Sequence, residues 1–279
     1  MNTLFHLPQM VIGAVLAFVV VMGSYFARAL TVSGALTAFV LGTLFFGFGG
    51  LPWAALLLTF FVTSSFLSLI FKHRKNQEGV EFEKGSRRDG WQVLANGGIA
   101  GWMVMLSMIF PGSILPWMAG AGALAAANAD TWATELGILS RSDPVMITTG
   151  TQVPRGTSGG VSRAGMLAAF SGSFVIGTVF WVFTPGLFAN LGDHTRWWMA
   201  GMVILAGVAG SLVDSLLGAT VQAIYYCPAC QKETEKHPLH HCGTPTRQVR
   251  GLKWLNNDWV NFFCTFSGAL IALAIGVIL

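Results

Sequence analysis

Residues 90–129 read GWQVLANGGIAGWMVMLSMIFPGSILPWMAGAGALAAANA, forty positions without a Lys, Arg, Asp or Glu. About twenty apolar residues cross the hydrocarbon core of a bilayer, so a run of this length is two crossings. The division falls at Phe110–Pro116 (FPGSILP), where clustered Gly and Pro favour a turn over continued helix. No segment of the chain shows the ten-residue dyad alternation of a membrane barrel, so the crossings are helices.

The same reading extends in both directions. Leu7–Ala27, Ala29–Phe71, Ala164–Gly192, Trp197–Val213 and Trp259–Leu279 are also apolar and almost free of charge, and Ala29–Phe71 divides at Gly47–Pro52 (GFGGLP). Spans are expected at roughly 8–27, 31–48, 52–71, 91–109, 116–139, 164–185, 197–225 and 257–278. Over 279 residues, a hydrophobic fraction of 53%, a charged fraction of 10% and a mean hydropathy of +0.62 exclude a soluble domain. The expected fold class is all-α, a polytopic integral membrane protein with about eight transmembrane helices. Residues 1–279 form a single membrane domain, because the loops at 72–90, 140–163 and 226–256 are too short for independent cores.

Eight spans place Arg28, Lys72, Arg74, Lys75, Lys84, Arg87, Arg88, Arg141, Arg155, Arg163, Lys232, Lys236, Arg247, Arg250 and Lys253 on one side, with Arg196 alone opposite. Basic loops stay inside, so that side is expected to be cytoplasmic and both termini external. The first span, with no Lys or Arg before Arg28, reads as retained and not as a cleaved leader. The net charge of +4 then faces anionic membrane lipid, and no nucleic acid is expected as a partner. Gly34–Phe39 (GALTAF) and Gly165–Phe170 (GMLAAF) echo each other, each opening an outward span.

Acids within a span cost about 2.5–3.5 kcal/mol on insertion scales, so their depth is informative. Asp130, Glu135 and Asp214 fall in the inner halves of the fifth and seventh spans, level with Gln92 and Asn96 in the fourth and Asn257, Asp258 and Asn261 in the eighth. Asp130 and Glu135 are about 140° apart on a straight helix, so either the helix breaks or the two acids line different walls of a cavity. Simple interhelical hydrogen bonding is the structural alternative; three acids at one depth favour a functional site.

Two stretches suit phosphate. Ile147–Arg163 (ITTGTQVPRGTSGGVSR) offers turning N–H groups and hydroxyls at Thr149, Gly150, Gly156, Thr157, Ser158, Gly159, Gly160 and Ser162 around Arg155, and it feeds the sixth helix. A plain Gly/Ser linker is the alternative, and the spacing excludes a Walker A loop. Arg87 and Arg88 precede the fourth helix and open onto Gln92 and Asn96, whereas Lys84 reads as ordinary inside charge. In the 226–256 loop, Cys227-Pro-Ala-Cys230 followed by His237, His240, His241 and Cys242 fits tetrahedral Zn²⁺. Cys227, Cys230, His241 and Cys242 are the expected structural ligands, with His240 or His237 as substitutes for His241. A redox pair or a metal-free turn is the alternative.

Ala129–Gly137 (ADTWATELG), Thr148–Ser162, Gln92–Gly98 (QVLANGG) and Arg250–Asp258 (RGLKWLNND) together resemble the membrane-protein family that contains the plant and cyanobacterial phytyl-phosphate kinase and the animal transmembrane protein 19. The resemblance covers nearly the whole chain and implies phosphorylation of a prenyl monophosphate by a nucleoside triphosphate, CTP or ATP. Asp130, Glu135 and Asp214 would then hold Mg²⁺, Arg155 and the glycine loop the triphosphate, and Arg87 or Arg88 the lipid phosphate. The order of an Asp-bearing helix and a Gly/Ser/Arg loop is also loosely similar to polyprenol kinases. A nucleotidyltransferase making a CDP-lipid is a nearby alternative, and a cation-coupled transporter or flippase is one of another class.

Overall fold

A computed structural model describes residues 7–77, 87–140 and 142–278, without the side chains of 72–77. Eight α-helices make up the bundle: α1 (Leu7–Phe26), α2 (Val32–Leu44), α3 (Gly50–Gln77), α4 (Gly90–Ile109), α5 (Leu115–Gly137), α6 (Arg163–Leu187), α7 (Asp193–Thr220) and α8 (Asn257–Ile278). Lys84 and Arg141, counted above with the basic loops, lie outside the described residues, as do the side chains of Lys72, Arg74 and Lys75. Among the described residues six stretches are long and apolar enough to cross a membrane, Val32–Phe71 being one of 40 residues.

The break expected at Gly47–Pro52 is present inside that long stretch. A π-helical turn, Phe45–Gly49, follows α2, and Gly50 at φ +67 redirects the chain into α3, whose third residue is Pro52. The seventh helix ends at Thr220, not near 225, because Ile224 already belongs to a strand.

α5 lies at the centre and packs against α3, α4, α6, α7 and α8. Its residues from Pro116 to Ala129 are all buried. Alanine and glycine there remove the bulk that would hold neighbours apart. A Cβ on Gly122 would sit 2.5 Å from the Gly268 carbonyl oxygen of α8, and one on Gly210 would sit 2.5 Å from the Ala126 Cβ and 2.8 Å from the Cys264 oxygen. Polar cross-links are few and buried. Asn128 Nδ2 donates to the Gly172 oxygen at 2.8 Å and its Oδ1 accepts from Ser64 Oγ at 3.1 Å, while Trp117 Nε1 donates to Thr184 Oγ1 at 3.0 Å. These bonds tie α5 to α3 and α6, and they are satisfied within the protein where lipid offers no partner.

The two echoed segments start their helices alike. Thr31 Oγ1 accepts the Gly34 N–H at 3.1 Å and caps α2; Ser162 Oγ accepts the Gly165 N–H at 3.0 Å and caps α6. Between the helices the chain forms short strands. β1 (Val145–Met146) pairs with β2 (Gly160–Val161), and β3 (Ile224–Cys227) stands between β4 (Lys232–Thr234) and β5 (Arg247–Arg250), so the 226–256 loop is largely a small antiparallel sheet.

Gly268→Leu is expected to overpack the α5–α8 contact and cost about 1–3 kcal/mol. Thermal unfolding in detergent reads this directly, with Gly23→Leu as control because nothing lies within 4 Å of that position. Equal melting of both variants would show that α5 and α8 do not touch here.

Candidate active site

One cavity of about 810 Å³ gathers most of the polar residues picked out of the spans. α5 runs unbroken through it, so Asp130 and Glu135 reach the space from opposite edges of one wide helical stripe that also carries Thr131 and Thr134. Asp214 enters from α7 beside Ser211 and Ser215, and Asn257 and Asn261 enter from successive turns of α8. Asp258 does not line it, because one residue further round the helix its side chain leaves that face. Ser68 of α3 donates to Glu135 Oε1 at 2.6 Å. Asp214 Oδ2 is buried without a hydrogen-bond partner among the described residues.

The opposite wall is the glycine loop. Arg155, Gly156, Thr157, Ser158, Gly159, Gly160 and Ser162 all face the cavity. Gly156 at φ +81 and Gly159 at φ +84 hold left-handed backbone, and a Cβ on Gly159 would sit 2.5 Å from the Ala219 Cα, so the loop lies directly on the end of α7. Thr149 and Gly150 sit elsewhere. They form the exposed tip of the turn after β1, where Gly150 N–H donates to the Met146 oxygen at 2.8 Å and Thr149 meets Thr151 at 2.7 Å. The turn spends those donors on itself, away from the site. Arg155 also pairs with Asp143, Nε to Oδ1 at 3.6 Å.

Local structure separates the two adjacent arginines. Residues 87–89 are clamped to the chain before α2, since Arg88 N–H donates to the Ala29 oxygen at 2.9 Å and Thr31 N–H to the Arg88 oxygen at 3.0 Å. Arg87 turns back, donating from Nη2 to the Leu30 oxygen at 2.8 Å. Arg88 instead stands over the Phe60 and Phe61 rings at 5.4 and 5.9 Å. Burial brings its guanidinium down to about 10 against the raising pull of Glu135, so it stays charged at neutral pH. Gln92 and Asn96 line the cavity as expected, but Gln92 also completes a capping box: its N–H donates to Asp89 Oδ1 at 3.0 Å and its Oε1 accepts the Asp89 N–H at 3.1 Å.

Residue-by-residue reading missed Glu235, Gln222 and Lys236, which line the cavity from the chain after α7. Glu235 Oε1 accepts from Ser158 Oγ at 2.6 Å and from Gln222 Nε2 at 2.9 Å, and so joins the small sheet to the glycine loop. Its only sequence signal was proximity to the cysteine and histidine cluster.

In that cluster the ligand-type atoms of Cys227, Cys230, His240 and Cys242 all lie within 4.8 Å of one another. This corrects the expected set, since His240 takes the place given to His241. The Gly243 N–H donates to the His240 oxygen at 2.9 Å, so His241 lies within a tight turn and is exposed, whereas His240, 2% exposed, is the inward one. Its Nδ1 is 3.5 Å from Cys230 Sγ and 3.2 Å from Cys242 Sγ, whereas His241 Nδ1 meets His240 Nε2 at 3.2 Å. Hydrogen bonding with Thr244 and His240 pulls the Cys242 thiol down to about 5, and hydrogen bonding with Cys242 pushes Cys230 up to about 11. Three sulfurs and one imidazole nitrogen are the donor set of a closed tetrahedral zinc site.

A bundle of apolar helices around a buried acidic cavity, with a glycine loop laid over it, defines a polytopic integral membrane protein with an internal polar site. The family model described as integral membrane protein DUF92 matches residues 15–269, and the chain belongs to that family. It is similar to Protein PGR of Arabidopsis thaliana, 34% identical over 271 residues that cover 91% of each chain. It is also similar to Protein VTE6, chloroplastic, of the same plant, 28% identical over 91% of this chain and 67% of the relative. A third similarity is to an uncharacterized membrane protein of Methanocaldococcus jannaschii, 27% identical over 89% and 87% of the two chains. No solved structure matches the chain. The family resemblance carried by the four motifs therefore holds.

The Ser158–Glu235 bond predicts a local effect. A hydrogen bond to a charged acceptor contributes about 1.5–3 kcal/mol, so Glu235→Ala should speed amide exchange over residues 155–162 by tenfold or more while the helices keep their protection. Unchanged exchange would mean that the sheet does not brace the loop.

Proposed function

We propose that this cavity transfers a phosphoryl group from CTP or ATP to a prenyl monophosphate of phytyl or polyprenyl type, forming the diphosphate at the cytoplasmic leaflet. The observation that carries the proposal is the meeting of Asp130, Glu135 and Asp214, from two helices, with the Arg155–Gly160 loop around one space. The relatedness to VTE6 and the resemblance to the phytyl-phosphate kinase group favour the same chemistry. The basic loops at this end of the bundle favour its cytoplasmic placement, with both termini external.

The acceptor needs no base. A phosphate monoester is already ionised at neutral pH; its oxygen attacks the γ-phosphorus in line, the bond to the β,γ-bridging oxygen breaks, and the nucleoside diphosphate leaves with that electron pair. What the protein must supply is position and compensation of charge. Arg155 and the N–H groups of the glycine loop hold the triphosphate, and the N-terminus of α6 adds its positive end. Arg88 holds the acceptor phosphate, because Arg87 is already engaged by Leu30. The donor set suits Mg²⁺, which takes oxygen ligands: Asp130, Glu135 and Asp214 line the cavity together with Glu235, and Asp214 Oδ2 lacks a protein partner among the described residues. Asp130, Glu135 and Asp214 would hold Mg²⁺ there, which would supply charge neutralisation to the transferring phosphoryl group.

Zn²⁺ on Cys227, Cys230, His240 and Cys242 has a structural part in this reading. These four side chains would hold the ion structurally, tying together the loop beside the sheet that presents Glu235 to Ser158 and Gln222.

Two measurements test this reading. Asp130→Asn and Asp214→Asn should each lower phosphorylation of a prenyl monophosphate by labelled CTP or ATP at least about 100-fold in detergent, with unchanged gel-filtration profiles. Wild-type turnover in either variant removes the metal assignment, and release of pyrophosphate in place of nucleoside diphosphate removes the kinase. Elemental analysis of purified protein should find about one zinc per chain, lost in His240→Ala and kept in His241→Ala. The reverse pattern would restore His241 as the ligand.

A further inference from the structure

A second, apolar space lies between α1, α2, α3 and α4, lined by side chains such as Val21, Leu41, Phe46, Leu57 and Phe61. It is narrow, about 60 Å³, and small residues make room for it: Ala17 from α1, Ala38 and Gly42 from α2, and Gly97 from α4. A Cβ on Gly42 would stand 3.0 Å from the Ala17 Cβ, so the two helices pinch closed at that level. From Ser24 near the mouth to Ala17 the lining of α1 spans seven residues, about 10 Å at the helical rise.

The slot is not isolated from the polar cavity. Arg88, Gln92 and Asn96 line both spaces. At this junction Arg88 is half-sheathed by the Phe60 and Phe61 rings, and its backbone is fixed by the ladder to Ala29 and Thr31. A cation held at the boundary between an ionic chamber and a hydrocarbon-lined one matches a ligand that is itself divided, with an anionic head and an apolar tail. One cation and one narrow slot suit a single chain, not the paired chains of a phospholipid.

We infer that the slot between α1, α2, α3 and α4 receives the isoprenoid chain of a monophosphate ester whose phosphate is held by Arg88 at the junction with the polar cavity. The head-group chemistry rests on the kinase reading above; the location of the chain does not. Lipid tails are as apolar as the slot, so leaving the bilayer for it gains little, and the slot acts mainly by fixing how far the phosphate advances toward the glycine loop.

Photolabelling tests the location independently of turnover. Farnesyl monophosphate carrying a diazirine at the far end of its chain is irradiated with the full-length protein in detergent, and the adducts are mapped by peptide mass spectrometry. The expected result is labelling within 17–24 and 38–46, reduced at least fivefold in Ala38→Phe and in Val93→Phe, which fill the slot from α2 and α4. Retained binding of a nucleotide analogue shows that each variant is folded, and either folded variant is sufficient. Adducts confined to the outer faces of α6–α8, or undiminished in a folded variant, overturn the inference. So does slot labelling by a diazirine phospholipid that farnesyl monophosphate fails to compete away. Labelling in the slot without phosphorylation of any prenyl monophosphate would sink the kinase and leave the slot standing, whereas phosphorylation with adducts elsewhere would do the opposite.

Discussion

The close approach of neighbours to α5 is the constraint on which the other features depend. Inside lipid, helices gain little by hiding apolar surface from one another, so the bundle is held by contact distance and a few satisfied polar bonds. The run of alanine and glycine from Ala119 to Ala129, interrupted only by Leu124 and Asn128, lets five helices close on one axis. Asn128 locks that packing with bonds to α3 and α6. Where α5 turns from alanine to Asp130, Thr131, Thr134 and Glu135, the packing opens and the cavity begins.

The walls of the cavity follow from that axis. α4, α7 and α8 all pack on α5, so polar residues at one level on each are delivered to the same space. The loops then finish it. The glycine loop can lie on α7 only because Gly159 has no side chain to meet Ala219, and the 224–250 sheet braces the loop through Glu235. A cysteine and histidine cluster some residues away thus bears on the wall of the cavity through backbone placement.

Much of this architecture was legible from one-dimensional pattern. Spans show as long uncharged runs because a membrane tolerates nothing else, whereas the caps at Thr31, Asp89 and Ser162, where short polar side chains bond free N–H groups, emerged only with the structure. Depth was legible too, since position along a helix converts directly into height, and it brought Asp130, Glu135, Asp214, Asn257 and Asn261 to one level. Rotation was harder. Asp258 shares that level but not the face, Thr149 and Gly150 belong to the same loop yet turn outward, and His241 differs from His240 by one position but lies within the turn that His240 opens.

The amino-acid sequence by itself determined that this chain belongs in a membrane, where its helices break, at what depth its acids lie and which cysteines cluster, because each of these depends on composition and spacing along the chain. Tertiary structure alone decided that Glu235 reaches Ser158, that of the two arginines lining the cavity Arg87 is bonded to the Leu30 oxygen while Arg88 stands over two phenylalanine rings, that His240 joins the sulfurs, and that an apolar slot meets the polar chamber at Arg88, Gln92 and Asn96. These are facts of side-chain direction and of contact between segments remote in sequence, and such contacts exist only once the helices have packed around α5.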